Sequence, residues 1–105
     1  MGPAVLSPSG PWSLAPPPAG RLSKDVPDGR LLFDADSGTT RLLSPLGVFI
    51  VELLERQRGA CSTAEIVRAV HLEEPESSNH ECLSAVETAL AELVDARLIA
   101  ARRPS

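Results

Sequence analysis

The stretch DADSGTTRLLSPLG, residues 34–47, decides the fold of this chain. It predicts a loop over residues 34–38 and a strand over residues 39–43, and an apolar strand precedes the loop at residues 30–33. Gly38 stands near the end of the loop, where a hairpin turn often needs a positive φ. The stretch therefore predicts a β-hairpin.

A helix follows this hairpin with no linker between them. Ser44 is a favoured N-cap residue, and Pro45 is favoured at the first position of a helix. Large apolar residues then recur at spacings of three and four, which predicts one buried helix face: Leu46, Phe49, Ile50, Leu53 and Leu54. The direct join holds the edge of the hairpin in a fixed place relative to the helix.

Two more helices are predicted downstream. The capping-box pattern Ser-x-x-Glu occurs at Ser62 and again at Ser78, and the third helix runs to about Ala96. The apolar residues 98–100 either add a strand or pack under the sheet. With a weak first strand at residues 21–23, the predicted fold class is α+β: a small N-terminal antiparallel sheet of two or three strands, followed by a three-helix winged helix-turn-helix unit.

The N-terminal part of the chain differs in composition from the rest. Six of the ten prolines fall within the first eighteen residues, and proline disfavours both helix and sheet. We therefore predict a Pro-rich flexible tail at residues 1–19, one folded domain at residues 20–101 and a disordered C-terminus at residues 102–105. Trp12 is the only tryptophan, and we expect it to pin the tail to the folded part.

Charge and hydropathy exclude several classes of partner. The chain has 105 residues and a formal net charge of −4, which argues against general affinity for nucleic acid or for an anionic membrane. Its apolar runs are too short to span a bilayer, and its N-terminus lacks the pattern of a signal peptide. We expect a cytoplasmic protein.

The residues that carry metal or nucleophilic chemistry do not form a recognisable motif. Cys61, His71, His80 and Cys82 are the four side chains that suit zinc, but no Cys-x-x-Cys or His-x₃-His pair occurs. We read them as two buried thiols and two surface histidines. No nucleophile elbow or phosphate loop is present either. The sequence predicts no catalytic residue, no metal, no cofactor and no enzymatic activity.

The third predicted helix offers two neighbouring stripes of apolar residues. One stripe is large and suits the core: Leu83, Val86, Leu90, Leu93 and Val94. The other is small: Cys82, Ala85, Ala89 and Ala96. The small stripe either lets a foreign backbone lie close to the helix or packs against a neighbouring helix of the same fold.

The strand at residues 39–43 supplies a complement if it lies at the edge of the sheet. An edge strand offers free N–H and C=O groups to an added peptide strand. Leu42 and Leu43 point to opposite faces, so that one anchors the sheet and the other touches the guest, and Arg41 is expected to meet an acidic side chain of the guest. The predicted peptide-binding residues are Thr39, Thr40, Arg41, Leu42, Leu43, Cys82, Ala85, Val86, Ala89 and Leu93.

Two other functions remain open from the residues alone. Helix-turn-helix folds usually read DNA with the last helix, but here that helix carries acids, which repel a polyanion: Glu81, Glu87, Glu92 and Asp95. A winged helix-turn-helix DNA-binding regulator is therefore the alternative function. The edge strand can also pair with its own copy and form a homodimer.

The run LLFDADSGTTRLLSPLGVFIVELL resembles the PqqD-like peptide chaperones, also called RiPP recognition elements. Their pattern is an apolar strand, Asp-x-x-Ser-Gly, Thr-x-Leu-Leu-Asn/Asp-Pro and an apolar helix. The matching positions are Asp34, Ser37, Gly38, Thr40, Leu42, Leu43 and Pro45. In having Trp12 upstream of this run, the chain resembles the subgroup found in HPr-kinase-related gene systems.

The resemblance implies a three-stranded sheet followed by a winged-helix unit of three helices. It also implies that the chain binds the leader of a ribosomally made precursor peptide, which adds as a strand against the third strand in the groove beside the third helix. The chain then presents this peptide to a modifying enzyme, often a radical SAM protein.

Overall fold

The computed structural model of the chain describes residues 11–57 and 60–101. The elements in chain order are β1 (Trp12–Leu14), β2 (Arg21–Val26), β3 (Gly29–Asp34), β4 (Thr39–Leu43), α1 (Pro45–Gln57), α2 (Thr63–Glu73), α3 (Asn79–Asp95) and β5 (Ile99–Ala101). The fold is α+β, with N-terminal antiparallel strands and three helices, which confirms this part of the predicted class.

Strands β2, β3 and β4 form one antiparallel sheet in that order. The weakly predicted first strand is longer than expected and runs to Val26, and a two-residue turn joins it to β3. Gly29 follows this turn at φ 143°, and a Cβ atom there would lie 1.8 Å from the carbonyl oxygen of Leu43. Gly38 takes φ 71° at the end of the next loop, as predicted. Both hairpins thus depend on glycine.

Strand β1 lies inside the segment that the sequence predicts to be a flexible tail. It pairs antiparallel with β5, so the C-terminal apolar segment adds a strand to β1 rather than to the larger sheet. Trp12 holds β1 in place: its side chain is buried, its Nε1 donates a hydrogen bond to Thr63 Oγ1 (2.9 Å), and its backbone N–H donates to the carbonyl of Cys61 (2.7 Å). The expected anchoring by Trp12 is confirmed.

The predicted tail is therefore wrong for Trp12–Leu14, because a buried ring and paired backbone groups outweigh the neighbouring prolines. The rest of the predicted division of the chain stays a prediction, since residues 1–10 and 102–105 lie outside the described residues.

The three helices begin where local capping signals predict. The Ser44 hydroxyl accepts a hydrogen bond from the backbone N–H of Gly47 (3.1 Å) at the start of α1. Both predicted capping boxes are present, at Ser62 for α2 and at Ser78 for α3. Within residues 11–57 and 60–101, none of the helices combines the length and apolar character that crossing a membrane requires.

The core lies between the helices and the inner face of the sheet. Its largest fully buried side chains come from four elements: Leu32, Ile50, Leu54, Ile66, Val86 and Leu93. In α1, Val51 is buried although it was not predicted, whereas Leu46 and Phe49 are only partly buried.

The buried face of α3 is offset from the predicted one. The predicted large stripe contains Leu83 and Val94, but their side chains are 37% and 44% exposed. Three members of the small stripe are buried instead: Cys82, Ala89 and Ala96. Because α1 and α2 both pack against α3, the buried face of this helix lies between the two predicted stripes and includes residues of both. The alanines thus serve the packing of this fold to a large extent.

Candidate functional site

Strand β4 is an edge of the three-stranded sheet. Among the described residues, β4 pairs with β3 alone, in a register that sets Arg41 opposite Leu32 and Leu43 opposite Arg30. On the outer edge of such a strand, the N–H and C=O groups of alternate residues have no partner in the sheet. This edge therefore offers backbone hydrogen bonds to a further strand.

The two faces of β4 have different surroundings. Leu43 is buried on the face toward the helices, and Leu42 is 53% exposed on the opposite face. Thr40 shares the outer face with Leu42 and lies opposite Phe33 of β3, which is partly exposed. The prediction that Leu42 and Leu43 point to opposite faces is confirmed.

A groove of about 570 Å³ runs between α3 and the end of β4, and we call it the wide groove. On one side it is bordered by Ser44 and Leu46, where the chain passes from β4 into α1. Its other side is one face of α3, which contributes His80, Glu81, Ser84, Ala85, Thr88, Ala89 and Glu92. Most of these side chains are small, so the helix backbone is open to a close approach.

A second cavity of about 230 Å³ lies at the other end of β4, and we call it the narrow pocket. It is bordered by Thr39 and Arg41 from β4 and by Asp95 and Arg97 at the end of α3. Arg21, Asp34, Asp36 and Ser37 also border it, together with Pro18, Ala19 and Ala96. Hence β4 and α3 run past each other in opposite directions, with one cavity at each end of the strand.

A comparison with protein families shows which family has this sequence pattern. A family model described as Coenzyme PQQ synthesis protein D (PqqD) matches residues 29–99. The chain belongs to the PqqD family. The match begins at the first residue of β3 and ends in β5, so it includes β4, α3 and every residue that borders the wide groove. The resemblance that the sequence shows is thereby confirmed at the level of the family.

A solved structure shows the same fold. TbiB1, in complex with the TbiA(beta) leader peptide, is similar to this PqqD-family chain with a TM-score of 0.58 and 21% sequence identity. The similarity covers 88% of this chain and 99% of that chain. Among curated proteins, a search found no match.

The predicted site residues on α3 divide into two groups in this PqqD-family chain. Ala85 and Ala89 border the wide groove, as a floor of small residues requires. Cys82, Val86 and Leu93 are buried in the core, and none of the three borders either cavity. The structure does not bring these three side chains to the groove, because the core face of α3 is offset toward the small stripe, and their contact with a peptide stays a prediction.

Seven groove residues were missed in the sequence: Ser44, Leu46, His80, Glu81, Ser84, Thr88 and Glu92. On α3 the signal was present, since Ser84 and Thr88 are four positions apart and continue the small-residue surface of Ala85. No local signal points to Leu46, because the pattern of α1 predicts a core position for it.

Ion pairs surround the narrow pocket. The Arg21 guanidinium donates two hydrogen bonds to the Asp34 carboxylate, from Nε (2.6 Å) and from Nη2 (2.9 Å). These hydrogen bonds lower the pKa of Asp34, while partial desolvation opposes the shift. Arg41, which the sequence predicts to meet an acid of the guest, donates to Asp95 of α3 instead (3.1 Å). This pair links the edge strand to α3 across the pocket.

The four side chains that were considered as zinc ligands do not form one cluster. Cys61 and Cys82 are buried free thiols, and burial, with a smaller effect of the Glu65 charge, raises the pKa of Cys61. The Nε2 atom of His71 is 2.9 Å from the carbonyl oxygen of Ser77, in the connection between α2 and α3. In the part of the chain that the structure describes, no three His, Cys, Asp or Glu side chains form a group that would hold a metal ion.

Proposed function

We propose that this chain is a non-catalytic peptide chaperone of the cytoplasm. It binds the leader segment of a ribosomally synthesised precursor peptide and presents that peptide to a modifying enzyme. The observation that carries the proposal is the edge strand β4 beside a groove with a floor of small residues, in a chain of the PqqD family. The similar fold of TbiB1, which was solved with a leader peptide, supports it.

The leader adds as a strand to the free edge of β4. Backbone hydrogen bonds then supply affinity that depends little on sequence, and the side chains of the guest supply specificity. Because side chains alternate along a strand, one set enters the wide groove above Ala85 and Ala89. The other set lies beside Thr40 and Leu42 on the outer face of the sheet.

The arrangement of the sheet and α1–α3 is compatible with a winged helix-turn-helix, which raises the alternative of DNA binding. The charge of α3 disfavours it. This helix exposes four acidic residues: Glu81, Glu87, Glu92 and Asp95. It contains no arginine or lysine, and the next cation along the chain is Arg97, just beyond its end. A polyanion would be repelled, whereas an uncharged peptide backbone would not.

The test is an amide chemical-shift titration of the labelled protein with a synthetic leader segment from a short precursor reading frame beside its gene. We expect shifts at residues 39–43 and along the groove face of α3. Ala85→Trp fills the wide groove without touching the core, because Ala85 is exposed. It should weaken binding at least about tenfold, or about 1.4 kcal/mol. Ala91→Trp is the matched control on an exposed position outside the groove, and it should bind as the wild type does.

Two further variants separate the strand from the helix charge. Leu42→Pro removes a backbone donor from β4 and should abolish binding, whereas Glu87→Ala should not change it. Normal binding by both Leu42→Pro and Ala85→Trp contradicts strand addition. Salt-sensitive shifts with duplex DNA, and none with the peptide, would favour the DNA-binding regulator.

A further inference from the structure

The C-terminal end of α3 contains an arginine in a conformation that favours glycine. The backbone N–H of Arg97 donates to the carbonyl of Val94 (3.0 Å), and that of Leu98 donates to the carbonyl of Leu93 (2.9 Å). This pair of bonds is a Schellman motif, in which the residue after the C-cap is usually Gly. Arg97 has φ 62° and is the one non-glycine residue with a positive φ among the described residues. An arginine at this position lowers stability relative to glycine, which points to a role for its side chain.

The side chain that this position carries borders the narrow pocket. Asp34 is paired with Arg21 and Asp95 is paired with Arg41, so two of the three arginines at the pocket already have an acid. In the described part of the chain, no carboxylate lies within salt-bridge distance of Arg97. Its positive charge is exposed at the end of the pocket.

The other two arginines of the pocket have hydrogen-bond donors without acceptors. The Arg21 side chain is only 6% exposed, and its Nη1 has no partner although Asp34 takes Nε and Nη2. The Nε of Arg41 is also buried without a partner. Buried donors of charged groups are costly to leave unpaired, and carboxylate is the acceptor that matches guanidinium geometry.

We propose that the narrow pocket is a carboxylate subsite for the guest peptide, in which Arg97, with Arg41 beside it, binds an Asp or Glu side chain. The subsite rests on the proposed function, because the carboxylate belongs to a strand added to β4. Such a strand passes the narrow pocket at Thr39 and Arg41 and the wide groove at Ser44. The acidic residue therefore lies about four positions from the side chains that fill the wide groove, since paired strands advance equally per residue.

The subsite also determines the direction of the guest. The wide groove carries the acidic side chains of Glu81 and Glu92 and no arginine or lysine. The narrow pocket carries three arginines and three aspartates, and two of each are already paired with one another. A guest with one acidic residue is repelled at the first end, whereas at the second it finds the cation of Arg97. Charge thus selects between the two directions that backbone hydrogen bonding alone allows.

The test is selection of a phage-displayed random peptide library on the immobilised protein. The displayed peptides are fused at their C-termini to the coat protein, so an enriched carboxylate comes from a side chain. Selection is run in parallel on the wild type, on Arg97→Gly and on Asp36→Asn. Asp36 is the exposed acid at the same pocket and has no ion pair within the described residues.

On the wild type we expect apolar residues together with an Asp or Glu at one fixed distance. Arg97→Gly should keep the apolar preference and lose the acidic one, and it should bind an enriched acidic peptide about tenfold more weakly. The same variant should raise the melting temperature, because Gly relieves the positive φ. Loss of binding together with greater stability separates a role in recognition from a defect in folding. Asp36→Asn should strengthen the preference for acid.

Enriched peptides without an acidic position, or an acidic preference that Arg97→Gly keeps, overturn the subsite and leave the proposed function standing. If no peptide is enriched on the wild type, the proposed function fails and the subsite fails with it.

Discussion

Removing the ring of Trp12 should destabilise the whole domain, although this residue precedes the three-stranded sheet and lies in a proline-rich segment. The ring is buried in the core, and its backbone is bonded to Cys61 in both directions, at 2.7 and 2.9 Å. Trp12→Ala removes a large buried side chain and leaves a cavity. Substitutions of this kind lower the free energy of unfolding by about 3–5 kcal/mol.

Trp12→Phe separates the ring from its hydrogen bond. Phenylalanine keeps an aromatic ring but has no donor for the Oγ1 atom of Thr63, a buried hydroxyl. We expect a loss of about 1–3 kcal/mol, the cost of leaving a buried polar group unpaired. In a double-mutant cycle of Trp12→Phe with Thr63→Val, the coupling energy should be about 1 kcal/mol.

Urea unfolding followed by far-UV circular dichroism measures these changes, because Trp12 is the only tryptophan and its removal ends the intrinsic fluorescence signal. Leu14→Ala on the same strand is the matched control. Leu14 is 40% exposed, so its truncation should lower the free energy of unfolding by less than about 1 kcal/mol. A loss for Trp12→Ala no larger than that for Leu14→Ala would refute the anchoring of β1 in the core.

Three further outcomes follow from the structure. Gly29→Ala should unfold the sheet, because its Cβ would lie 1.8 Å from a β4 carbonyl oxygen. Gly38→Ala meets no atom within 4 Å and should lower the free energy of unfolding by only about 1–2 kcal/mol, because of its positive φ. Thermal melts of the two variants measure the difference. The pKa of Asp34 is lower in the folded chain than in the unfolded chain because Arg21 donates to it, so its contribution to stability is present above about pH 4 and is lost as the pH falls through the folded pKa. Urea midpoints between neutral and acidic pH should therefore fall less steeply for Asp34→Asn than for the wild type. Cys61 is buried and its pKa is raised, so it should react with a thiol reagent slowly in the native protein and rapidly in urea; equal rates in both would contradict its burial.

The elements that the sequence predicts well are those whose signals lie within a few residues of one another. A capping box joins residues three apart, and both boxes mark the helix starts seen in the structure, at Ser62 and Ser78. The bounds of β4 agree with the predicted strand at residues 39–43, because a glycine turn precedes it and a helix cap follows it at once. The position of the candidate groove was predictable to the same extent, since its two sides are α3 and the connection from β4 into α1.

The parts of the site that were predicted less well depend on how helices approach one another. The periodicity of α3 shows which residues share a side, but α1 and α2 decide which side is covered. That is why Cys82 and Val86 are in the core while Ser84 and Thr88 face the groove. The face of a helix with two adjacent apolar stripes is ambiguous in a single sequence.

By itself, the sequence determined the hairpin of β3 and β4, the three helices that follow it, and the resemblance to the family. Only the tertiary structure decided that Trp12–Leu14 pairs with Ile99–Ala101, and that Arg21, Arg41 and Arg97 meet at one pocket. The physical reason is range. Turns and caps are satisfied by neighbours in the chain, whereas the pairing of distant strands and the gathering of distant charges are products of the packing of the whole domain.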